Sequence, residues 1–246
     1  MSHKTMLITG AGRGIGAATA ALAARQGYAV CVNYLANRAA AELVVTQITA
    51  AGGTALALQA DIASEAAVLA MFETIDRRFG RLDALVNNAA ILARQMRVDQ
   101  MDAERLNRIF ATNITGSFLC AREAVRRMST RHGGAIVNLS SRAAVLGSPG
   151  EYVDYAASKA ALDALTIGLS KEVAGEGIRV NGVRPGLIYT EMHASGGEAE
   201  RVERLKNVVP MRRGGQPEEV AQAVMWLLSE QASYTTGSFI EVSGGR

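Results

Sequence analysis

Seven short apolar runs recur along the chain, and longer segments with a different periodicity separate them. The runs read TMLIT, YAVCVNY, TALALQA, LDALVN, GAIVNLS, IRVNGVRP and GSFIEVS. The intervening segments carry apolar residues at helical spacing over 15–26, 39–50, 65–79, 104–131, 155–174 and 218–228. Strands that alternate with helices are typical of a parallel sheet. The pattern therefore predicts an α/β fold, in which a doubly wound, seven-stranded parallel sheet is flanked by helices on both faces.

The regular alternation fails mainly between residues 187 and 216. This stretch follows a predicted strand and contains a Gly pair, a short charged segment and a basic turn. Long excursions after the carboxyl end of a strand commonly form substrate lids. We expect a lid at about 187–216 within a single domain that spans 1–246. A surface insertion without a role is the alternative interpretation of the same stretch.

Composition and charge narrow the possible functions. The 246 residues suit one α/β domain, and the 26 basic and 23 acidic residues are spread without a charged block. No apolar run approaches the roughly 18 residues of a membrane span, and no export signal precedes the first strand. Cys31 and Cys120 fall in a predicted strand and a predicted helix, which favours buried thiols. We therefore expect a cytoplasmic protein that binds no nucleic acid, membrane or metal.

A glycine-rich loop follows the first predicted strand. The sequence TGAGRGIGAA places glycines at Gly10, Gly12, Gly14 and Gly16, directly before a helical pattern. Gly12, Gly14 and Ala17 match the alanine-ending form of the dinucleotide fingerprint, in which glycines let the backbone approach a pyrophosphate at a helix N-terminus. The loop lacks the Gly-Lys-Ser/Thr ending of a nucleoside triphosphate site. It therefore predicts a dinucleotide site.

The end of the second predicted strand bears on the choice of dinucleotide. An acidic residue here commonly holds the ribose 2′-hydroxyl of NAD, but this chain has Asn33. Arg13 in the glycine loop and Arg38 nearby are suited to pair with a 2′-phosphate. We therefore expect NADP(H) to be preferred, with NAD(H) possible.

Tyr155 and Lys159 in DYAASKAALDAL lie four residues apart, so they share one face of a helix. A cation beside a phenol favours the phenolate, so we expect Lys159 to lower the pKa of Tyr155 from its reference of about 10. Ser140 and Ser141 end the fifth predicted strand, where ligands bind in such sheets. Asn113 lies in FATNITGSFLC, where polar residues interrupt a strong helical pattern, as expected where function overrides propensity.

In order and spacing these motifs resemble the short-chain dehydrogenase/reductase family, from Lys4 to the C-terminal TGSFIEVSGG. The matching stretches are TGAGRGIG, ADIA, NNAA, YAASK, RPG and YTEM, together with Asn113 and Ser141. The resemblance implies a Rossmann-type fold and a catalytic tetrad of Asn113, Ser141, Tyr155 and Lys159. It also implies that Lys159 holds the nicotinamide ribose and that Asn113 supports a water relay.

Cofactor contacts are carried over from the same resemblance, with Asp61 beside the adenine and the backbone of Ile188 at the carboxamide. The expected set is Gly10, Gly12, Arg13, Gly14, Ile15, Gly16, Asn33, Arg38, Asp61, Ile62, Asn88, Ala89, Tyr155, Lys159, Pro185, Gly186, Ile188 and Thr190. Two departures from the family pattern stand out. Ala90 replaces the last glycine of the usual NNAG, and the interval from Ser141 to Tyr155 is one residue longer than common. The longer interval leaves Ser140 as an alternative catalytic serine.

Tyr152, Met192 and His193 are the expected substrate contacts beside Ser141. The first precedes Tyr155 by about a turn, and the other two lie in the expected lid. The sequence resembles a branch grouped with glucose 1-dehydrogenase-like and 3-oxoacyl-carrier reductase-like enzymes, so the expected substrate is a small carbonyl compound or alcohol. The resemblance also implies a homo-oligomer, dimer or tetramer, packed through helices 104–131 and 155–174.

The leading hypothesis is reversible hydride transfer between nicotinamide and a carbonyl or secondary alcohol, with Tyr155 as general acid and base. Because a fold does not fix a function, an NADP(H)-binding sensor or scaffold without turnover is the alternative. A hydrolase that uses Ser141 with His132 or His193 is disfavoured, since the sequence lacks a GxSxG elbow.

Overall fold

A seven-stranded sheet organises the chain, whose computed structural model describes residues 4–128 and 133–246. The strands are β1 (Thr5–Ile8), β2 (Ala29–Tyr34), β3 (Thr54–Gln59), β4 (Ala84–Asn87), β5 (Gly134–Leu139), β6 (Ile178–Pro185) and β7 (Phe239–Val242). They pair in parallel in the order β3-β2-β1-β4-β5-β6-β7. The order reverses between β1 and β4, and in such sheets ligands bind beyond the carboxyl ends of the strands at that point. The predicted fold class is confirmed.

Helices connect the strands and cover both faces of the sheet. They are α1 (Gly14–Arg25), α2 (Arg38–Ala50), α3 (Glu65–Phe79), α4 (Ala103–Phe110), α5 (Gly116–Met128), α6 (Ala143–Leu146), α7 (Val153–Val173), α8 (Met192–Ser195), α9 (Arg201–Leu205) and α10 (Pro217–Leu228). The long helices agree with the sequence pattern to within a few residues, apart from the segment 104–131. Within the described parts of the chain, no helix is long and apolar enough to cross a membrane.

Two large apolar clusters form the core, one on each face of the sheet. Successive strand residues point to opposite faces, so Met6 and Ile8 pack with α1, α2 and α10, whereas Leu7 packs with α3 and α5. Burial of both faces explains why the sequences of the five inner strands are largely apolar. Cys31 and Cys120 lie in the second cluster, where burial raises the pKa of each thiol to about 12. Both cysteines are therefore inert parts of the core.

The segment predicted as one helix over 104–131 is interrupted in the structure. Between α4 and α5 the backbone forms a π-helical turn over Ala111–Thr115. Asn113 lies in this turn with its side chain fully buried. A single π turn inside an α-helix is rare and often marks a functional site. The expected local conflict at Asn113 is therefore present as a change of helix type, and residues 129–131 lie outside the described residues.

The segment 187–216 folds over the carboxyl ends of the strands. It contains α8 and α9, and it returns to its starting point through a bridge between Ile188 and Gly215. Its own small apolar cluster comprises Leu187, Val202 and Val209, with Tyr189 and Leu205 packed against them. The segment therefore has internal packing of its own beside the two main clusters.

Candidate active site

The glycine loop between β1 and α1 needs glycine at three of its four glycine positions. Gly10 and Gly14 have φ values of 61° and 54°, which side-chain-bearing residues rarely adopt. A Cβ atom on Gly16 would lie 2.6 Å from Asn88 Nδ2 and 2.8 Å from the Gly10 carbonyl oxygen. A Cβ on Gly12 would meet only ordinary contacts, the nearest at 3.5 Å. The loop is thus a tightly folded cradle whose shape a methyl group would disturb.

Asn88 fastens this cradle to the neighbouring strand. Its Nδ2 donates to the carbonyl oxygens of Thr9 and Gly10, at 2.8 and 3.0 Å. In return, the Thr9 hydroxyl accepts hydrogen bonds from the backbone N–H groups of Asn88 and Ala89, each at 3.0 Å. The ends of β1 and β4 are therefore locked together at the point where the strand order reverses. Sequence reasoning identified Asn88 and Ala89 but missed Thr9.

The N-terminus of α1 is open toward the loop. Its N-cap, Arg13, makes no side-chain capping hydrogen bond, and the first turn of α1 contains no acidic residue. The Arg13 guanidinium lies 3.4 Å from the Ser195 hydroxyl of the segment 187–216. A helix N-terminus beside a glycine cradle attracts and binds phosphate groups through its backbone N–H groups. The residues present fit the pyrophosphate of a dinucleotide.

Asn33 connects the cradle to the end of β3 through hydrogen bonds to the backbone. It is only 2% exposed; its Oδ1 accepts from Gly10 N at 3.1 Å, and its Nδ2 donates to the carbonyl oxygens of Leu58 and Ala60 at 3.3 and 3.1 Å. Its amide is therefore engaged with the backbone on both sides. Arg38, in contrast, is exposed at the start of α2 and pairs with Glu42 at 3.5 Å.

Asp61 and Ile62 lie shortly after the carboxyl end of β3. The Asp61 carboxylate is exposed and accepts a hydrogen bond from Ala63 N at 2.9 Å. Ile62 is buried against Gly116, the first residue of α5, where a Cβ would lie 2.7 Å from Ile62 Cγ1. Gly116 is therefore needed for the close approach of α5.

Tyr155, Lys159 and Ser141 come together in a cleft of about 340 Å³ next to the cradle. The expected cofactor contacts that also line it are Ile15, Asn88, Pro185, Gly186, Ile188 and Thr190. Lys159 Nζ donates to the Leu139 carbonyl oxygen at 2.6 Å and lies 5.6 Å from the centre of the Tyr155 ring. The cleft therefore joins the expected dinucleotide site to the tyrosine and lysine side chains.

The protonation of Tyr155 differs from the sequence expectation. Burial raises its pKa to about 12, although a hydrogen bond with Ser141 acts in the opposite direction. Burial lowers the pKa of Lys159 to about 8, and the charge of Asp163 only partly opposes this. The expectation that Lys159 lowers the pKa of Tyr155 is wrong for this arrangement, because the ammonium is directed to a backbone carbonyl and both groups are desolvated.

The two neighbouring serines have different surroundings. Ser140 is buried, and its hydroxyl donates to the Lys159 carbonyl oxygen at 3.2 Å. Ser141 is partly exposed in the cleft and hydrogen-bonds Tyr155, while its Oγ also accepts from Ala143 N at 3.1 Å. Ser141 is thus next to the phenol, and Ser140 secures the helix that carries it.

Asn113 lies behind the cleft wall. Its Oδ1 accepts from Ile91 N at 2.8 Å, and its Nδ2 donates to the Ile91 carbonyl oxygen at 3.0 Å and to Ser158 Oγ at 3.1 Å. These bonds use the amide to join the π-helical turn, the loop after β4 and α7. Asn113 therefore fixes the elements that surround Tyr155 and Lys159.

The expected substrate contacts all line the cleft. Tyr152 is buried beneath the Arg201 guanidinium, whose carbon lies 4.9 Å from the ring centre. Met192 and His193 enter from α8, and His193 Nε2 lies 3.0 Å from the Ile188 carbonyl oxygen. Burial lowers the pKa of His193.

The surroundings of Ser141 do not favour the hydrolase interpretation. Its partners are Tyr155 and the backbone of Ala143, whereas His193 is engaged with backbone. His132 lies outside the described residues. Sequence reasoning also missed several residues of the cleft wall: Leu92, Arg142, Leu146, Glu151, Arg201 and Arg246. Arg142 directly follows Ser141 and Glu151 directly precedes Tyr152, so these two stood beside residues that the sequence had already indicated.

Sequence comparisons agree with this geometry. A family model described as enoyl-(acyl carrier protein) reductase matches residues 10–246. An uncharacterised oxidoreductase of Escherichia coli, YgfF, is 63% identical over 243 residues, which is 98% of each chain. The 3-oxoacyl-[acyl-carrier-protein] reductase FabG of Staphylococcus aureus is 39% identical over 98% of this chain and 97% of its own.

Comparisons with solved structures agree with the sequence comparisons. A 3-ketoacyl-(acyl-carrier-protein) reductase from Brucella melitensis, complexed with NADH, superimposes with a TM-score of 0.92 at 32% identity, over 99% of this chain and 98% of that one. A short-chain type dehydrogenase/reductase from Mycobacterium marinum gives 0.94 at 35% identity, over 99% and 95%. The chain is therefore an NAD(P)-dependent oxidoreductase that belongs to the short-chain dehydrogenase/reductase family.

Proposed function

We propose that the protein is an NADP(H)-dependent carbonyl reductase in which Tyr155 is the general acid. The observation that carries this proposal is the meeting of Tyr155, Ser141 and Lys159 in one cleft beside the glycine cradle. The cofactor, when bound, supplies the hydride in reduction and accepts it in the reverse direction. All other chemistry is assigned to side chains of this chain.

The protonation states favour reduction. With a pKa of about 12, Tyr155 holds its proton at neutral pH and can donate it to the oxygen of a carbonyl as negative charge develops there. Ser141, hydrogen-bonded to the phenol, orients the same oxygen. Lys159 has a pKa of about 8, so it is protonated near neutral pH. It can therefore return a proton to Tyr155 after the phenol has donated its own.

The charges at the start of α2 support a preference for NADP(H). No carboxylate ends β2, because Asn33 stands there with its amide engaged by the backbone. Arg38 is exposed at the N-terminus of α2, and its pair with Glu42 is a weak surface contact that a phosphate can replace. The NADH complex of the Brucella relative keeps NAD(H) open as a second cofactor.

A 3-oxo ester or thioester is the substrate class we propose first. The named relatives from Staphylococcus are 3-oxoacyl-[acyl-carrier-protein] reductases. Apolar side chains line the part of the cleft beyond Ser141, among them Leu92, Leu146 and Met192. These side chains suit an acyl chain beside the carbonyl that Tyr155 protonates.

Assembly into a dimer or tetramer in the cytoplasm is part of the proposal. Phe118 on α5 and Ile167 on α7 are 47% and 43% exposed, which leaves apolar surface on the two helices that the family uses for packing. Size-exclusion chromatography with light scattering measures the assembly, and a monomer would contradict this part of the proposal.

The experiment pairs Tyr155→Phe with a control. Both variants and the wild type are assayed with NADPH at 340 nm against aldehydes, ketones, sugars and 3-oxo thioesters, and NADPH binding is followed by fluorescence. Tyr155→Phe is expected to lose turnover by a factor of about 10³ or more while it still binds NADPH. The control, Tyr234→Phe, removes a hydroxyl from a fully exposed ring and keeps wild-type rates.

Two outcomes would contradict the assignment. Turnover by Tyr155→Phe at wild-type rates would exclude this phenol as the acid. NADPH binding by the wild type without turnover on the whole panel would favour the sensor or scaffold alternative.

A further inference from the structure

The first turn of α7 contains a fully buried carboxylate beside Tyr155. The N-cap of α7, Tyr152, makes no side-chain capping hydrogen bond. Instead Asp154, whose side chain is 0% exposed, accepts a hydrogen bond from Tyr155 N at 2.9 Å. The first N–H groups of a helix have no partner within the helix, so this carboxylate satisfies one of them at the residue that carries the phenol.

Arg105 reaches this carboxylate from α4. Its Nε donates to Asp154 Oδ2 at 2.7 Å and its second terminal nitrogen donates to Oδ1 at 3.3 Å, with the arginine side chain 8% exposed. Its remaining terminal nitrogen donates to the Arg94 carbonyl oxygen at 2.7 Å. One guanidinium therefore joins α4, the loop after β4 and the first turn of α7.

A second link runs parallel to the first. Asn113 binds the same loop at Ile91 and reaches Ser158 on α7. Asp154 and Ser158 are four residues apart and lie on one helical face, and each directly precedes a residue of the tyrosine–lysine pair. Two links a turn apart fix both the position of α7 and its rotation about its own axis.

We infer that Arg105 and Asp154 form a positioning pair that holds the Tyr155 phenol in line with the reacting oxygen. Neither side chain lines the cleft, so both act through the backbone of α7. A planar guanidinium bound at two carboxylate oxygens and one carbonyl fixes direction as well as distance, which an apolar contact does not. The inference rests on the proposed role of Tyr155 as the acid.

Three variants test the pair, and a fourth serves as the control. Arg105→Met and Asp154→Asn each remove one charge, whereas Arg105→Lys keeps the charge and loses the planar fork. Arg127→Met removes another partly buried arginine, which bridges Glu123 of α5 and Asp76 of α3 and is not among the residues that line the cleft. The unfolding temperature of each chain is measured to establish that it is folded.

The first measurement is NADPH oxidation with ethyl 3-oxobutanoate as the probe. A catalytic group displaced by about 1 Å can cost about 100-fold in rate. We expect kcat to fall about 30- to 100-fold in Arg105→Met and Asp154→Asn, with the KM for NADPH changed less than about threefold. Arg105→Lys is expected to retain an intermediate kcat, and the Arg127→Met control the wild-type kcat despite its lower stability.

The second measurement does not need turnover. Absorbance at 295 nm reports phenolate formation, and subtracting the titration of the matching Tyr155→Phe chain isolates Tyr155. Its pKa of about 12 depends on burial, so loss of the positioning pair should move it toward the reference of about 10. The variants leave every titratable group that lines the cleft in place, and Arg127→Met should titrate as the wild type.

The outcomes separate this inference from the proposed function. If the wild type reduces nothing, the proposed function fails, but the 295 nm titration still compares the variants. Folded Arg105→Met and Asp154→Asn chains with the kcat and titration of the control would overturn the inference. If neither variant folds, Arg105→Lys decides, and wild-type kcat and titration in that chain would overturn the inference equally.

Discussion

Lys159 is a buried charge whose removal should stabilise the protein while it abolishes the proposed activity. The side chain is 2% exposed, and its ammonium donates to the Leu139 carbonyl oxygen at 2.6 Å. Burial lowers its pKa from 10.5 to about 8. Methionine has a similar length and no charge, so Lys159→Met removes the desolvated ammonium with little change in packing.

The size of the effect follows from the pKa of Lys159. A tenfold change in a protonation equilibrium is worth about 1.4 kcal/mol, so the lowered pKa corresponds to a cost of about 3 kcal/mol near neutral pH. Loss of the charge-assisted hydrogen bond to the buried Leu139 carbonyl oxygen offsets about 2 kcal/mol of the gain. The free energy of unfolding of Lys159→Met should therefore exceed that of the wild type by about 1 kcal/mol near neutral pH. In a chain of this size the unfolding temperature should rise by about 2–4 °C.

The pH dependence of the stability difference between Lys159→Met and the wild type gives a sharper test than the difference at one pH. Because the folded pKa lies below the unfolded one, the unfolded wild type binds more protons between about pH 8 and about pH 10.5. The titration of Lys159 therefore increases the free energy of unfolding of the wild type as the pH rises. The difference in free energy of unfolding between Lys159→Met and the wild type becomes smaller across the same interval. Urea unfolding of both chains near pH 7 and near pH 9.5, without cofactor and at equal protein concentration, measures the difference. A variant less stable than the wild type near pH 7, or a pH-independent difference, would refute the reasoning.

Three further predictions concern the serines, the cradle and Asn33. Ser141→Ala should lower kcat about 10- to 100-fold because the partner of Tyr155 is lost, whereas Ser140→Ala should act mainly on stability; steady-state kinetics and thermal unfolding distinguish them. Gly16→Val should weaken NADPH binding at least tenfold, measured by fluorescence titration, because its Cβ would overlap Asn88 Nδ2 and the Gly10 carbonyl oxygen. Asn33→Asp should lower the free energy of unfolding by about 2–4 kcal/mol, measured by urea unfolding, because a buried carboxylate would face two carbonyl oxygens that now accept hydrogen bonds. A simple switch to NAD without loss of stability would contradict the last prediction.

Much of the fold follows from local pattern. The apolar runs of the five inner strands predict those strands because they are buried on both faces, whereas the edge strands β3 and β7 are only partly buried. The glycine loop is recognisable because Gly10 and Gly14 require positive φ. The polar interruption around Asn113 correctly indicated a local conflict with the helix. Its form as a π-helical turn was not predictable, because it depends on bonds to Ile91 and Ser158, which are 22 and 45 residues away.

The pKa values of the site show more clearly which properties local sequence pattern does not predict. Helical spacing places Tyr155 and Lys159 on one face, but it says nothing of how deeply that face is buried. Desolvation therefore outweighs the attraction that the spacing suggested, and the pKa of Tyr155 rises. Similarly, Arg105 and Asp154 are 49 residues apart, and no sequence motif marks them as partners.

The π-helical turn at Ala111–Thr115 has an evolutionary consequence. A π turn holds about one residue more than a regular turn, so loss of one residue here would leave a continuous α-helix across α4 and α5. Such a deletion would improve local helix geometry while moving Asn113 away from Ile91 and Ser158. Selection for a stable helix and selection for the site therefore act in opposite directions on the length of this segment. Among descendants of this chain, the length of the segment should follow activity, and chains that no longer need the cleft are free to lose the extra residue.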